Sequence, residues 1–455
     1  MINRQPSVTA TMLRYLATAG KHRTMYPSAH PIVRRAMEDL VQVTDLLLRD
    51  REAITFQIYE DTFFLDNVML PEESLRNAAL LTTCLEREVG MFQFRKGITA
   101  QEVDAFISLI LTPPQTVRAA GGPAAVLKAH NAAHIAVEPP RSSRPTDLEI
   151  EVDPSNAYEA GHTVAQELRV QAVRRQPLDM KKARIFLNAA IEVVLDNRFS
   201  LLGLMANREY DEASSYHAVN VSILALLVGT RLGLTHDQLM VLGMSALLHD
   251  IGKVRVPPDL LNRATELTSE EGAQLNRHPV HGASILRDME GLGRVAAVVA
   301  LEHHAHHDLS GYPRLRDKER PNAFSRIVAV VDSYDTVTSA RHGTARPLRA
   351  ELAMKWIGAG LGTIFDPVSG KVFLRMMGLY PVGSVVELSN GAVALVQRPS
   401  EQFVDRPVVR AVRNGRLEEV FDLAADTSLS ITNGLDAEDA GVDVAALLAE
   451  QPAAA

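Results

Sequence analysis

Leu248-His249-Asp250-Ile251-Gly252-Lys253 is the stretch whose reading decides the fold. Nine of the chain's fifteen histidines fall between His217 and His307, a fifth of its length, whereas histidines used only for packing or solvation would scatter. Something in this segment needs imidazole. Consecutive side chains on a helix stand about 100° apart, so His249 and Asp250 cannot share one stripe. At the end of a helix they can still converge on a point beyond it. Asp250 has two oxygens and can bridge two cations, while His249 gives a single nitrogen. Gly252 suits a helix that ends tightly against such a site.

Working outward, four further sites complete a ligand set. His217 starts the apolar run Val219 to Val228, and His278 precedes Pro279. His303 and His304 are adjacent, and Asp332 follows the apolar Ile327 to Val331. Singly, each has a plain reading: His217 as a satisfied core histidine, His278 as a cap. Their joint occurrence favours metal. Five histidines and two carboxylates supply two mostly nitrogen-ligated ions with a bridging carboxylate, more than one structural zinc requires. Mixed imidazole and carboxylate ligation suits Fe, Mn, Zn or Ni over Mg or Ca. Two cations roughly 3.5–4 Å apart lower the pKa of a shared water and offset charge on a phosphoryl oxygen. The expected reaction is therefore hydrolysis of a phosphate ester, with a metal-bridging hydroxide attacking phosphorus. His236, His281, His306, His307 and His342 read as surface or supporting groups.

Composition bounds the rest. At 455 residues the chain should split into two to four domains. The hydrophobic fraction of 46% and charged fraction of 22% are ordinary for a globular protein. A net charge of −8 supplies no basic field for long nucleic acid. With one cysteine, Cys84, neither an intrachain disulfide nor a thiolate cluster can form, and its place beside Leu80, Leu81 and Leu85 reads as a buried inert thiol. Residues 1–6 show no signal peptide and no apolar run is long enough to span a membrane, so a cytoplasmic protein is expected.

The chain divides by pattern. Residues 1–137 read as an α+β domain with a regulatory or partner-binding role assigned by elimination. It has helices over 12–50 and alternating strands from Ile54 to Leu70, forming a hairpin around Asp66-Asn67. A helix over Ser74 to Val89 follows, then a strand at Met91 to Phe94, and a helix capped by Thr99 with Glu102. His130 and His134 read as surface or capping groups, with no carboxylate expected near them. The proline-bearing 138–154 is a linker. Residues 155–378 are helical throughout, which implies a bundle. Residues 379–436 form a small β domain with tight turns at Asn390-Gly391 and Asn414-Gly415, and 437–455 a helical or disordered tail. The fold class is mainly α: a helical bundle, HD-type by the resemblance that its motifs carry, preceded by an α+β domain and followed by a small β domain.

The motifs taken together resemble the HD-GYP family of the HD phosphohydrolases. They are His249-Asp250-Ile251-Gly252-Lys253, Leu267 to Glu271, His278-Pro279-Val280-His281-Gly282, His303-His304 and Ser310-Gly311-Tyr312-Pro313. Val331 to Asp335, Thr338-Ser339, Arg341 and Phe365-Asp366-Pro367 continue the series. The resemblance covers about Ser215 to Phe373. It implies a bacterial phosphodiesterase that linearises cyclic di-GMP to pGpG and can cut further to GMP, with two or three ions, Fe or Mn foremost and Zn or Ni compatible. It implies the metal ligands His217, His249, Asp250, His278, His303, His304 and Asp332. Lys253 and Asp250 take the catalytic roles, and Lys253, Gly311, Tyr312, Pro313 and Arg341 contact substrate.

Three departures stand out. Ala305 replaces the Glu that follows the His pair in the family, and Leu309 replaces a Gly. Ala213 stands where some members place a third-metal Glu, with Glu212 one step off, so two ions are expected. The altered loop leaves two alternatives: a phosphohydrolase for another cyclic dinucleotide or nucleotide, and a non-catalytic cyclic-dinucleotide sensor or scaffold. The N-terminal segment is similar to uncharacterised domains ahead of HD domains in bacterial signalling proteins. A protein partner through that domain and a homodimer are the other expected associations.

Overall fold

The structure is a computed structural model that describes residues 8–59, 61–141, 151–196, 200–205, 213–261, 267–287, 293–316, 318–339 and 346–449. Its contacts separate two units, Met1–Ala160 and Gly161–Ala455. The boundary falls inside the helix Pro154–Val173.

In the first unit the alternation of Ile54, Phe56 and Ile58 with polar residues does what period-2 patterning dictates, and these three side chains are buried. The strands are β1 (Ala53–Tyr59), β2 (Thr62–Leu65), β3 (Val68–Leu70), β4 (Met91–Arg95) and β5 (Ile135–Glu138). They form one antiparallel sheet in the order β3-β2-β1-β4-β5. The expected hairpin is thus a three-strand meander. Asp66 takes a left-handed φ of 56° in the turn between β2 and β3. Register places Phe56 opposite Phe92, with ring centroids 5.0 Å apart. Phe106 of the helix Ala100–Leu111 reaches Phe92 and Phe94 at 5.2 and 5.4 Å, so this helix closes the core.

Thr99 and Glu102 form the reciprocal capping box that the sequence signalled. Glu102 does more than cap. It accepts the His134 main-chain N–H at 2.9 Å and lies 3.0 Å from its Nδ1, which corrects the expectation that no carboxylate stands near His134. The expected helix Ser74 to Val89 is two helices, Pro71–Arg76 and Ala78–Glu86. It breaks at Asn77, whose side-chain amide donates to the Glu73 carbonyl and competes with the helical ladder. Cys84 is fully buried, and burial pushes its thiol up to about 12. Glu151, at the described end of the linker, bonds through its carbonyl to Met69 N of the edge strand β3 at 2.8 Å.

The second unit holds the helices that carry the histidine-rich segment and a second sheet. Its strands are β6 (Val385–Leu388), β7 (Val393–Arg398), β8 (Val408–Arg413), β9 (Arg416–Asp422) and β10 (Ile431–Leu435), in the order β10-β6-β7-β8-β9. The two tight turns fall between β6 and β7 and between β8 and β9, as their Asn-Gly pairs require. β10 was not anticipated. Asn433-Gly434 interrupt it and its register shifts between Ile431 and Asn433, so the sequence shows no sustained alternation there. In the tail, the helix Val444–Ala449 packs Leu447 against Val385 and Leu395. Among the described residues, no helix is long and apolar enough to cross a membrane.

Candidate metal centre

Five of the seven expected ligands stand at helix ends. The helix His236–Leu247 stops at its cap Leu248. His249 follows, and Asp250 then caps the 3₁₀ turn Ile251–Arg255. The right angle between the His249 and Asp250 directions on a regular helix is avoided in this way. His278 opens the helix His278–Leu286, where Pro279 needs no main-chain partner. His303 and His304 follow directly on Gly293–Glu302. His217 and Asp332 instead project from the helices Ala213–Arg231 and Ala323–Thr338.

The structure brings all seven together as two groups, His217/His249/Asp332 and Asp250/His278/His303/His304. Asp250 lies between them. Its Oδ1 is 3.2 Å from His278 Nε2 and 3.7 Å from His303 Nε2, while its Oδ2 is 3.6 Å from His217 Nε2 and 3.5 Å from His249 Nε2. Asp332 turns Oδ1 to His217 Nε2 at 3.1 Å and His249 Nε2 at 3.6 Å, and Oδ2 to His304 Nδ1 at 4.0 Å.

Hydrogen bonds on the far side of each ring decide which nitrogen faces inward. Nδ1 of His249, His278 and His303 donates to the carbonyls of Ala246, Leu275 and Ala300 at 2.7, 2.9 and 2.9 Å. These bonds assign the Nδ1–H tautomer and leave each Nε2 with a lone pair toward the centre. His278 Nε2 and His303 Nε2 then stand 3.2 Å apart, lone pair against lone pair. His217 Nε2, His249 Nε2 and Asp250 Oδ1 are buried and make no well-directed hydrogen bond, an arrangement that costs about 1–3 kcal/mol per atom when nothing compensates it. Cations facing these donors remove both penalties, so the residues fit divalent metal.

The electrostatics agree. Burial would raise the Asp250 carboxyl, but the Lys253 charge beside it, foremost, holds it well below the carboxylate range. Burial is likewise outweighed at Asp332 by His217 and His249. Burial, then His303, drives His304 well below the usual imidazole value, and burial lowers His303. Ionised carboxylates and neutral imidazoles are the forms that coordinate metal. His217 is the exception, since there burial is outweighed by Asp332 and Asp335, which lift it to about 9.

The rim is built by close approaches. Lys253 Nζ donates to Asp250 Oδ2. A Cβ on Gly252 would fall 2.0 Å from His278 O and 2.4 Å from Gly282 N. This glycine therefore serves contact between the 3₁₀ turn and the helix His278–Leu286, not the helix stop that the sequence suggested. Across the mouth, Tyr312 N donates to His304 O at 2.9 Å, and the Tyr312 ring lies 4.8 Å from that of His304. A Cβ on Gly311 would lie 2.0 Å from His304 O. Pro313 follows Tyr312 through a cis peptide. Leu309, standing where a Gly was expected, adopts a left-handed φ of 64°, which costs roughly 1–2 kcal/mol for a side chain. The loop is held from below, where His307 N and Asp308 N donate to the Ile364 and Thr363 carbonyls at 2.9 and 3.0 Å. Arg341, His342 and Glu212 lie outside the described residues.

Sequence reasoning gave no role to several residues that support the centre. Asp335 accepts from His217 Nδ1 at 2.7 Å. Its place three residues after Asp332, on one helix face, was a usable signal. Glu302, buried beside His303, accepts from Lys318, from Asn322 N at 2.6 Å and from Ser325 Oγ at 2.9 Å, which ties the segment beyond Tyr312 to the Asp332 helix. Asp366, bonded to Arg326 at 2.7 Å, lies 3.5 Å from His307 Nδ1.

The HD domain family matches residues 192–368. The chain is 31% identical to a cyclic di-GMP phosphodiesterase of Pseudomonas aeruginosa, over 53% of this chain and 58% of that protein. It is 33% identical to the cyclic di-GMP phosphodiesterase response regulator RpfG of Xanthomonas campestris pv. campestris, over 45% and 54%. It is 30% identical to the 3'3'-cGAMP-specific phosphodiesterase 2 of Vibrio cholerae, over 33% and 29%. The chain thus spans little more than half the length of the first two relatives and less of the third. With the helical bundle, the paired His/Asp groups and the Gly311-Tyr312-Pro313 loop in place, the chain carries an HD domain of the HD-GYP type.

Proposed function

We propose that the protein is a binuclear metal-dependent phosphodiesterase that linearises cyclic di-GMP to pGpG and can cut further to GMP. The observation that carries this reading is Asp250, whose two oxygens face separate sets of imidazoles. His217, His249 and Asp332 would hold one ion, His278, His303 and His304 the other, with Asp250 between them. Fe(II) or Mn(II) suits this donor set best, and Zn or Ni is compatible with it. Bound there, two divalent cations supply Lewis acidity toward a phosphoryl oxygen and a nucleophile at neutral pH.

The chain's own groups supply the rest. Lys253 extends its amino group beside Asp250 at the rim, where it is placed to donate to the scissile phosphate or the leaving oxygen. Burial, then Asp332 and Asp250, pushes the Tyr312 phenol above its ordinary value, so it stays a neutral donor and a flat wall for the ligand. Gly311 and Pro313 set its position, and Arg341 is a further candidate for phosphate contact. Purified protein loaded with Fe(II) or Mn(II) should linearise cyclic di-GMP, and Asp250→Ala should abolish turnover. Activity surviving that change would sink the assignment.

A related cyclic dinucleotide is the second reading. Buried Ala305 and left-handed Leu309 alter the loop that meets the base, and one relative is named as specific for 3'3'-cGAMP. Turnover of cyclic di-GMP and 3'3'-cGAMP side by side separates the two.

A further inference from the structure

The four imidazoles anchored through Nδ1 do not share one kind of anchor. His249, His278 and His303 each lean on the carbonyl three residues earlier in their own chain segment, Ala246, Leu275 and Ala300. That solution is open to a residue at a helix end, where carbonyls or turn geometry are free. His217 lies within a helix, so its anchor must come from elsewhere. It comes from Asp335, fully buried, whose Oδ2 accepts from His217 Nδ1 at 2.7 Å.

The same helix also supplies Asp332, whose Oδ1 stands 3.1 Å from His217 Nε2. The His217 ring is therefore held at Nδ1 by Asp335 and faces Asp332 at Nε2, two carboxylates one turn apart. Asp335 is itself fixed, since Asn220 Nδ2, from the His217 helix, donates to its Oδ1 at 3.2 Å. Burying a charged carboxylate costs more than burying a neutral carbonyl in the same place. In return it gives a charged acceptor that locks the tautomer, orients the ring and raises the basicity of the inward nitrogen.

We propose that Asp335 is a positioning residue that sets the cation affinity of the His217/His249/Asp332 group and leaves the Asp250/His278/His303/His304 group unaffected. This role rests on the two-ion reading above. It assigns the two groups different second neighbours: one has a carboxylate behind a ligand, while the other has main-chain carbonyls behind His278 and His303.

The test is a calorimetric Mn(II) titration of metal-stripped full-length chain, with bound Mn counted after gel filtration, for wild type, Asp335→Asn and Asp335→Ala. Wild type should bind two Mn. In Asp335→Ala one class of site should keep its affinity while the other weakens roughly 10–100-fold. Asp335→Asn should fall between, because its amide oxygen still accepts from Nδ1–H without the charge. Two sites of wild-type affinity in Asp335→Ala would overturn the role while the two-ion reading stands. So would equal weakening of both sites in Asp335→Asn, the variant that keeps the side chain's shape. Wild type holding less than one Mn would remove the two-ion reading and this role with it.

Discussion

Asp250 is the residue that links the two groups, because its Oδ1 faces His278 and His303 of one group and its Oδ2 faces His217 and His249 of the other. Asp250→Ala should therefore reduce bound metal at both sites and lower turnover by more than the roughly 10–100-fold typical of an outer neighbour, as read by elemental analysis and a hydrolysis assay on one preparation. Gly311→Ala should act differently. Its Cβ would sit 2.0 Å from His304 O, so the loop and Tyr312 must shift while the remaining ligands stay. The expected result is a rise in KM at least about tenfold, with metal content close to wild type. At this scale the seven residues that meet in the two groups were legible because histidine is too rare to cluster by chance. Asp335 was not, since one more carboxylate on an amphipathic helix reads as a solvated face until its partner across the bundle is seen. His134 misled for the matching reason: its carboxylate, Glu102, is 32 residues away in sequence.

Elements deliver these residues through their ends, and two contacts make that scale testable. Gly252→Ala would drive a Cβ into His278 O and Gly282 N. It should destabilise the second unit by about 1–3 kcal/mol, the usual cost of overpacking, lowering its denaturation midpoint, and should loosen metal because Asp250 and His278 flank the contact. In the first unit, burial would raise Glu102, but N–H donors from His134 and Thr99 outweigh it and hold the carboxyl below its ordinary 4.5. A depressed carboxylate binds fewer protons folded than unfolded, so its stabilisation is present above about 4.5 and is lost as pH falls through the folded value. Glu102→Gln should cost about 1 kcal/mol at pH 7 and flatten the acid limb of a urea-midpoint-against-pH curve. A limb as steep as that of the wild type would refute this account. Capping signals made this helix legible to the residue. The break at Asn77 and the bulged β10 were hidden because each depends on a local hydrogen bond or ladder that outweighs the pattern.

For the whole molecule, periodicity carried the fold class: alternating strands, a long helical run, then strands with Asn-Gly turns. The same patterning does not say which neighbouring segments share contacts. The contacts group residues 161–455, β sheet included, in one unit and place its start inside a continuous helix. A ligand that binds only the folded state stabilises it, by about 2.7 kcal/mol at a hundred times its Kd. Chelation should therefore lower the thermal transition of the second unit by several degrees and leave that of the first unchanged, as followed by calorimetry. The central claim is that one carboxylate joins two metal ions, and electron paramagnetic resonance of Mn(II)-saturated protein reads it most directly. The account predicts two Mn per chain with an exchange-coupled, multiline dinuclear signal. A spectrum of isolated single ions at full saturation would contradict it.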